Sequence, residues 1–262
     1  MNYFKGKVCL ITGGAQGLGK YIAERLGNEG LNIIVADLNE EGLKSTVAKL
    51  RPKIKQDIMG IKVDVSDEED VKEMVEKSIS RFGKIDFLIS NAALSFSTPI
   101  HDTNTKTWKK FLDVNLFGYF LCVREVSKIM IKNNFGSIVQ INSRTGKRGS
   151  AKNSAYAASK GGGIVLTQSL SAELAPNNIR VNCVCPGPIF ESELWQKVLF
   201  KDYSKRFNMT VEELKKKYID EIPLGRETKY KDVANVVTFL LSDKADYLTG
   251  QAINVDGGTT VW

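Results

Sequence analysis

The sequence predicts an α/β architecture: one doubly wound parallel sheet with helices on both faces. Three observations predict it. Short apolar runs alternate with helix-length amphipathic stretches from end to end. Most of those runs are continuous rather than alternating, as strands covered on both faces require. A glycine-rich turn joins the first run to the first helical stretch. Alternation of this kind places successive strands in one parallel sheet linked by crossover helices.

In chain order, the first strand is KVCLIT (7–12), followed by a helix near 17–29. NIIVAD (32–37) precedes a helix near 39–50, and IMGIKVD (58–64) precedes one near 67–82. IDFLIS (85–90) leads to a long helix near 107–133, and SIVQINS (137–143) to one near 154–175. IRVNCVC (179–185), a helix near 230–242 and AINV (252–255) complete the series. The whole chain, 1–262, reads as a single domain with one interruption of the rhythm at about 187–225. There LWQKVLFKDYSKRFNMTVEELKKKYIDEIP looks like two short helices beside a strand's carboxyl end, a place where inserts cover ligands.

Composition narrows the function classes. An apolar fraction of 42% with 26% charged residues suits a globular chain with a sizeable core. No apolar run approaches the ~18 residues of a membrane span, and the N-terminal patch runs into glycines, so no membrane partner or leader is expected. Cys9, Cys122, Cys183 and Cys185 form no C-x-x-C pair and read as buried hydrophobes of a reducing, cytoplasmic compartment. With His101 as sole histidine, no metal site is expected. The net charge of +7 favours anionic small molecules. No basic stretch is interleaved with aromatics, so no nucleic-acid partner is expected.

The glycine turn is TGGAQGLG (12–19). Gly13, Gly17 and Gly19 let the backbone turn tightly and approach a pyrophosphate at the next helix's N-terminus, as in Rossmann-type folds. The second strand ends in Asp37, 18 residues beyond Gly19, where a ribose-binding carboxylate belongs. A carboxylate there accepts from ribose hydroxyls and repels a 2′-phosphate. The next residues, Leu38, Asn39, Glu40 and Glu41, include no base. The expected cofactor is NAD(H).

Two further residues complete a chemical set. Tyr156 and Lys160 lie four apart, one helical turn, and share a face. Oxidising an alcohol needs a base for its hydroxyl proton while hydride leaves. A free tyrosine titrates near 10, and lowering it to about 7 takes roughly 4 kcal/mol. An ammonium about 5 Å away supplies roughly 3 kcal/mol at an effective dielectric near 20. A positive nicotinamide ring supplies the rest. Ser143 closes the fifth strand at the edge where ligands gather, placed to hold a substrate oxygen or simply to start a turn.

Motif by motif the chain resembles the short-chain dehydrogenase/reductase family. It carries T-G-x-x-x-G-x-G at 12–19, Asp64 after the third strand, Asn91-Ala92-Ala93 after the fourth, and Asn115 in the long helix. Ser143, Tyr156-x-x-x-Lys160 and Pro186-Gly187 follow in order. The resemblance covers essentially the whole chain. It implies a catalytic set of Asn115, Ser143, Tyr156 and Lys160, with Asn115 anchoring a proton-passing water unless it is only a buried amide. It implies a dinucleotide held by Gly13, Gln16, Gly17, Leu18, Gly19, Asp37, Leu38, Asp64, Val65, Asn91, Ala92, Ala93, Tyr156, Lys160, Pro186, Gly187 and Ile189. Where the family often has a threonine touching the nicotinamide amide, this chain has Glu191, followed by Ser192 as the nearest hydroxyl.

The second half is similar to family members acting on sugar-alcohol phosphates. The stretches are VNLFGYFLCVRE (114–125), QINSRTGKRGSAKNSAYAASKGGG (140–163), LTQSL (166–170), YIDEIPL (218–224) and YLTGQAINVDGG (247–258). That resemblance implies interconversion of D-sorbitol 6-phosphate and D-fructose 6-phosphate, with a phosphorylated sugar or polyol as small-molecule partner. Arg144, Lys147, Arg148 and Lys152, in a Gly/Ser-rich loop between Ser143 and Tyr156, are the expected phosphate ligands. Lys147 and Lys152 are the first choices, and Lys197, Lys201 and Lys205 of the insert are additional candidates. Three consecutive glycines, 161–163, suggest close helix packing, and family members often pair this helix across subunits, so a homotetramer is expected. A ketoacyl reductase docking an acidic carrier protein, an NAD(P)-dependent enzyme of an unphosphorylated polyol or ketose, and a non-catalytic dinucleotide-binding regulator remain alternatives.

Overall fold

Seven strands form one all-parallel sheet in the order β3-β2-β1-β4-β5-β6-β7 in the computed structural model, which describes residues 3–260. The strands are β1 Val8–Thr12, β2 Asn32–Asp37, β3 Ile58–Lys62, β4 Phe87–Ser90, β5 Gly136–Ile141, β6 Ile179–Pro186 and β7 Ala252–Val255. Helices α1 Gly17–Asn28, α2 Glu40–Leu50 and α3 Glu68–Phe82 follow the first three strands. α4 Thr105–Leu112 continues through a π-turn, Asp113–Phe117, into α5 Gly118–Asn133. α6 Arg144–Lys147 is a single turn, and α7 Ser154–Leu174 crosses to β6. α8 Phe200–Phe207 and α9 Val211–Asp220 belong to the insert, and α10 Tyr230–Leu241 precedes β7.

The continuous apolar runs work because successive residues face opposite helical layers. Cys9 and Ile11 of β1 join the core under α1 and α10, whereas Val8 and Leu10 join the core under α3 and α5. Each fully buried Leu or Ile contributes about 1.5–3 kcal/mol, so both faces of the sheet are heavily stabilised. The four cysteines are buried and unpaired, as their apolar surroundings required. The insert has a small core of its own, built from Phe190, Trp195, Leu199, Phe200, Tyr203 and Leu214. Thr210 starts α9 with a reciprocal capping box to Glu213. Among the described residues, no helix is long and apolar enough to cross a membrane.

Two local expectations change. The long helix predicted over 107–133 is interrupted by the π-turn that carries Asn115. The base-rich stretch expected to be pure loop contains α6, because the Ser143 hydroxyl accepts from the Thr145 amide at 3.1 Å and caps that turn.

The strand order reverses direction of growth at β1 and β4. At such a switch point the carboxyl ends leave a crevice for a ligand.

Candidate active site

A cavity of about 1040 Å³ opens at the carboxyl edge of the sheet, beneath the insert. Its inner end is built by the glycine turn. Gly13 and Gly17 have φ of +66° and +56°, a region side-chain-bearing residues rarely adopt. Gly19 does not line the cavity. A Cβ there would lie 2.2 Å from the Gly13 carbonyl oxygen, so this glycine lets α1 press against the turn. Asn91 donates from its amide to the carbonyls of Thr12 (3.0 Å) and Gly13 (2.9 Å). The buried Thr12 hydroxyl accepts from the backbone of Asn91 (3.0 Å) and Ala92 (3.1 Å), stitching β1 to β4. Thr12 escaped the sequence reading of site residues, although it opens the T-G motif.

Helix α1 starts at Gly17 with no side-chain cap from Gln16 and no carboxylate in its first turn. Its leading amides therefore face the cavity at the positive end of the helix dipole, and the residues present fit a pyrophosphate. Asp37 lines the same cavity. One of its oxygens accepts from the Ala15 amide at 3.0 Å and the other from Asn39 at 3.0 Å. It thus fixes the glycine turn while keeping further lone pairs for ribose hydroxyls. The cap of α2 is Asn39, whose side chain accepts from Gly42. Parallel pairing places Lys62 across from Asp37, a base that local sequence did not reveal. Both Lys62 (3.7 Å) and Lys44 (2.9 Å) turn to Glu40, and neither lines the cavity. Asp64, Val65, Leu38, Ala93, Pro186, Gly187 and Ile189 complete this end. Asp64 is held by the Ser66 amide and hydroxyl, at 2.9 and 2.6 Å.

Glu191 turns away from the cavity wall. Its carboxylate accepts from the Tyr230 amide at 2.6 Å and caps α10, while Ser192 lines the cavity.

Tyr156, Ser143 and Lys160 meet where the two ends of the cavity join. The Ser143 and Ser95 hydroxyls both sit beside the Tyr156 phenol and favour its ionised form, but burial outweighs them and holds the phenol above its usual range. Ser95 follows the fourth strand and was not flagged by motif. The Tyr156 ring stands edge-on to Phe111 at 6.3 Å. Lys160 is almost fully buried, and its ammonium donates to the Ile141 carbonyl at 2.9 Å and lies 5.8 Å from the centre of the Tyr156 ring. Burial pushes it down to about 8. Without cofactor, desolvation therefore outweighs the ion-pair arithmetic: the phenol stays protonated, suited to give a proton to a ketone rather than take one.

Asn115 is buried off the cavity. Its side-chain oxygen accepts from the Leu94 amide (2.7 Å), and its nitrogen donates to the Leu94 carbonyl (3.0 Å) and Ser159 hydroxyl (3.1 Å). Ser159 in turn donates to the Tyr156 carbonyl at 2.8 Å. The side chain thus positions the Tyr156 turn, and the buried-amide alternative describes its contacts. Asn142 plays a matching part, donating to the Lys160 carbonyl at 3.0 Å.

The glycines of α7 find their reasons inside the chain. A Cβ at Gly163 would lie 2.6 Å from the Gln140 amide, and one at Gly162 would lie 3.0 Å from Leu116. Gly146 of α6 is equally confined, a Cβ falling 2.7 Å from Asn142 and 2.8 Å from the Lys160 backbone. Gly146→Ala is expected to cost about 1–3 kcal/mol by overpacking. Urea unfolding would show a lowered midpoint, and an unchanged midpoint would contradict this packing.

Of the expected phosphate ligands, Arg144, Arg148 and Lys152 line the cavity and Lys147 does not. Lys147 lies instead near the buried Cys185 thiol, where its charge favours the thiolate. The insert lysines also fall away: Lys197 pairs with Glu193 at 2.5 Å, and neither Lys201 nor Lys205 reaches the wall. The insert's base in the cavity is Arg206, which the sequence reading passed over.

The comparisons agree with this geometry. A family profile described as enoyl-(acyl carrier protein) reductase matches residues 13–260. Sorbitol-6-phosphate 2-dehydrogenase of Escherichia coli is 35% identical over 98% of this chain and 99% of its own length. 3-Oxoacyl-[acyl-carrier-protein] reductase of Thermotoga maritima is 37% identical over 98% and 99%. The crystal structure of sorbitol-6-phosphate 2-dehydrogenase from Erwinia amylovora superposes with a TM-score of 0.94 at 39% identity, covering 97% of this chain and all of that one. With the glycine turn, the Ser–Tyr–Lys cluster and the all-parallel sheet in place, the chain belongs to the short-chain dehydrogenase/reductase family of nicotinamide-dependent oxidoreductases.

Proposed function

We propose that this protein interconverts a sugar-alcohol phosphate and a ketose phosphate with NAD(H), the pair being D-sorbitol 6-phosphate and D-fructose 6-phosphate. The observation that carries the reading is the wall between Ser143 and Tyr156. Arg144, Arg148 and Lys152 line it, and none is ion-paired to a carboxylate among the described residues. Unpaired bases beside a proton-transfer site favour a substrate that brings its own anion. Nicotinamide, when bound, supplies or accepts the hydride. Ser143 holds the substrate oxygen, Tyr156 passes its proton, and Lys160 biases that transfer and holds ribose hydroxyls. The insert acts as the lid. The names of the two sorbitol-6-phosphate relatives support the same substrate class.

The proposal includes a homotetramer, supported by exposed Val165 and Phe117 on neighbouring helical surfaces. It also includes cytoplasmic residence, supported by four unpaired thiols. The 3-oxoacyl reductase relative favours a second reading, reduction of a carrier-bound ketoacyl group. Asp37 weighs against that reading where the reductant is NADPH.

The cofactor assignment rests on Asp37 and on the engagement of Lys62 and Lys44 by Glu40. NADH is expected to exceed NADPH at least about tenfold in kcat/KM, equivalent to about 1.4 kcal/mol. Steady-state kinetics with both cofactors on one ketose checks this, and equal use of the two would remove the argument from Asp37.

A further inference from the structure

We propose that Arg206 of the insert and Arg144 of the loop after Ser143 form a two-sided seat for the substrate's phosphate, so that phosphate binding draws the insert onto the catalytic loop. This deepens the reading above and rests on its phosphorylated substrate.

Both arginines line the cavity, and neither is ion-paired among the described residues. Four of the insert's other bases are engaged elsewhere, and the remaining two, Lys201 and Lys205, do not line the cavity. Lys197 and Lys216 pair with Glu193 and Asp220, and Lys215 and Lys217 lie over the rings of Phe200 and Phe207. Arg206 is held in place without being neutralised. Its guanidinium stacks on Tyr203 at 5.2 Å, and one nitrogen donates to the Ser97 hydroxyl at 3.0 Å. Ser97 donates onward to the Lys152 carbonyl at 3.0 Å, and the Thr98 amide reaches the same carbonyl at 2.8 Å. A guanidinium has five N–H donors in a rigid fork, so most remain for a ligand.

Arg206 of α8 and Arg144 of α6 share the cavity lining with Tyr218, whose phenol burial holds above its usual range while both charges oppose that shift. Glu221 stands on the same wall and pairs with neither. Glu193 also lines the cavity but is paired with Lys197, so two unpaired arginines face one unpaired carboxylate of the insert, and arginine forks match phosphate oxygens in bidentate fashion. Because Arg206 rides on an insert with its own core, an anion bridging it to Arg144 would tie the insert to the segment that carries Ser143.

The test uses NADH-saturated protein, so that the pyrophosphate site is filled. Inorganic phosphate is expected to inhibit ketose reduction competitively in the wild type. R206Q should raise its inhibition constant at least about tenfold. In the same variant, the ratio of kcat/KM for fructose 6-phosphate over fructose should fall ten- to hundredfold, mainly through KM. R206K, which keeps the charge but loses the fork, should fall between, and it also serves if R206Q folds poorly. An unchanged phosphate inhibition constant in R206Q, or equal losses on both ketoses, overturns the seat. If the wild type reduces neither ketose, the substrate reading fails separately. Calorimetric binding of inorganic phosphate to NADH-loaded wild type and R206Q then still decides the seat, weaker binding to R206Q supporting it and equal binding overturning it.

Discussion

Tyr156→Phe is expected to lower kcat about 100- to 10,000-fold, the range a positioned acid–base group contributes, while leaving the fold and NADH binding in place. The ring is held by its edge contact with Phe111 and by the helix around it, neither of which uses the hydroxyl. What disappears is the one titratable hydroxyl flanked by both Ser143 and Ser95. Single-turnover hydride transfer, with NADH affinity measured by fluorescence, separates the two effects. A Tyr156→Phe enzyme of near-normal kcat would end the assignment of Tyr156 as proton donor and acceptor.

Lys160→Met should act on the same step by a different route. With Nζ 5.8 Å from the ring centre, a full charge contributes roughly 3 kcal/mol at an effective dielectric near 20. That corresponds to about 2 pH units on the phenol. Oxidation at neutral pH is expected to fall about 100-fold, with the rising limb of its pH profile displaced upward by about that amount. Reduction should suffer less, because it starts from the protonated phenol that burial already favours. The sign follows from the buried lysine itself. Held at about 8 in the cofactor-free protein, Lys160 is charged below that pH and loses its charge as pH rises through it. Between about 8 and the unfolded value the folded state therefore binds fewer protons than the unfolded state, and stability rises with pH there. Lys160→Met should flatten that slope in pH-dependent thermal unfolding, independently of any assay of turnover.

Much of this molecule was legible because its signals are local. Strands such as VCLIT and NIIVAD lie within a residue of their expected limits, since a run buried on both faces has no competing reading. The glycines of the first turn are likewise dictated by backbone conformation and contact distance. The π-turn around Asn115 left no such mark, because one widened turn barely disturbs helical periodicity. Lys147 and Arg206 exchanged places for a related reason. Whether a base on a short helix faces a cavity or a neighbouring strand depends on packing between segments far apart in sequence. Arg206 reaches Ser97 across 109 positions. Lys62 comes to Asp37 only through strand pairing, so a scan of neighbours in sequence could not see it. Spacing alone brings Tyr156 and Lys160 together, but it does not give their electrostatics. The arithmetic of two charges omitted the desolvation that moves both groups in the cofactor-free protein.

The base-lined wall is proposed to select a phosphorylated ketose. Its most direct test is the kcat/KM of the wild-type protein with saturating NADH on fructose 6-phosphate, fructose and a 3-oxoacyl thioester, measured side by side. Fructose 6-phosphate is expected to exceed fructose by at least about tenfold, the contribution of one hydrogen bond to a charged group, and also to exceed the thioester. Equal efficiency on the two ketoses, or a clear preference for the thioester, would contradict it.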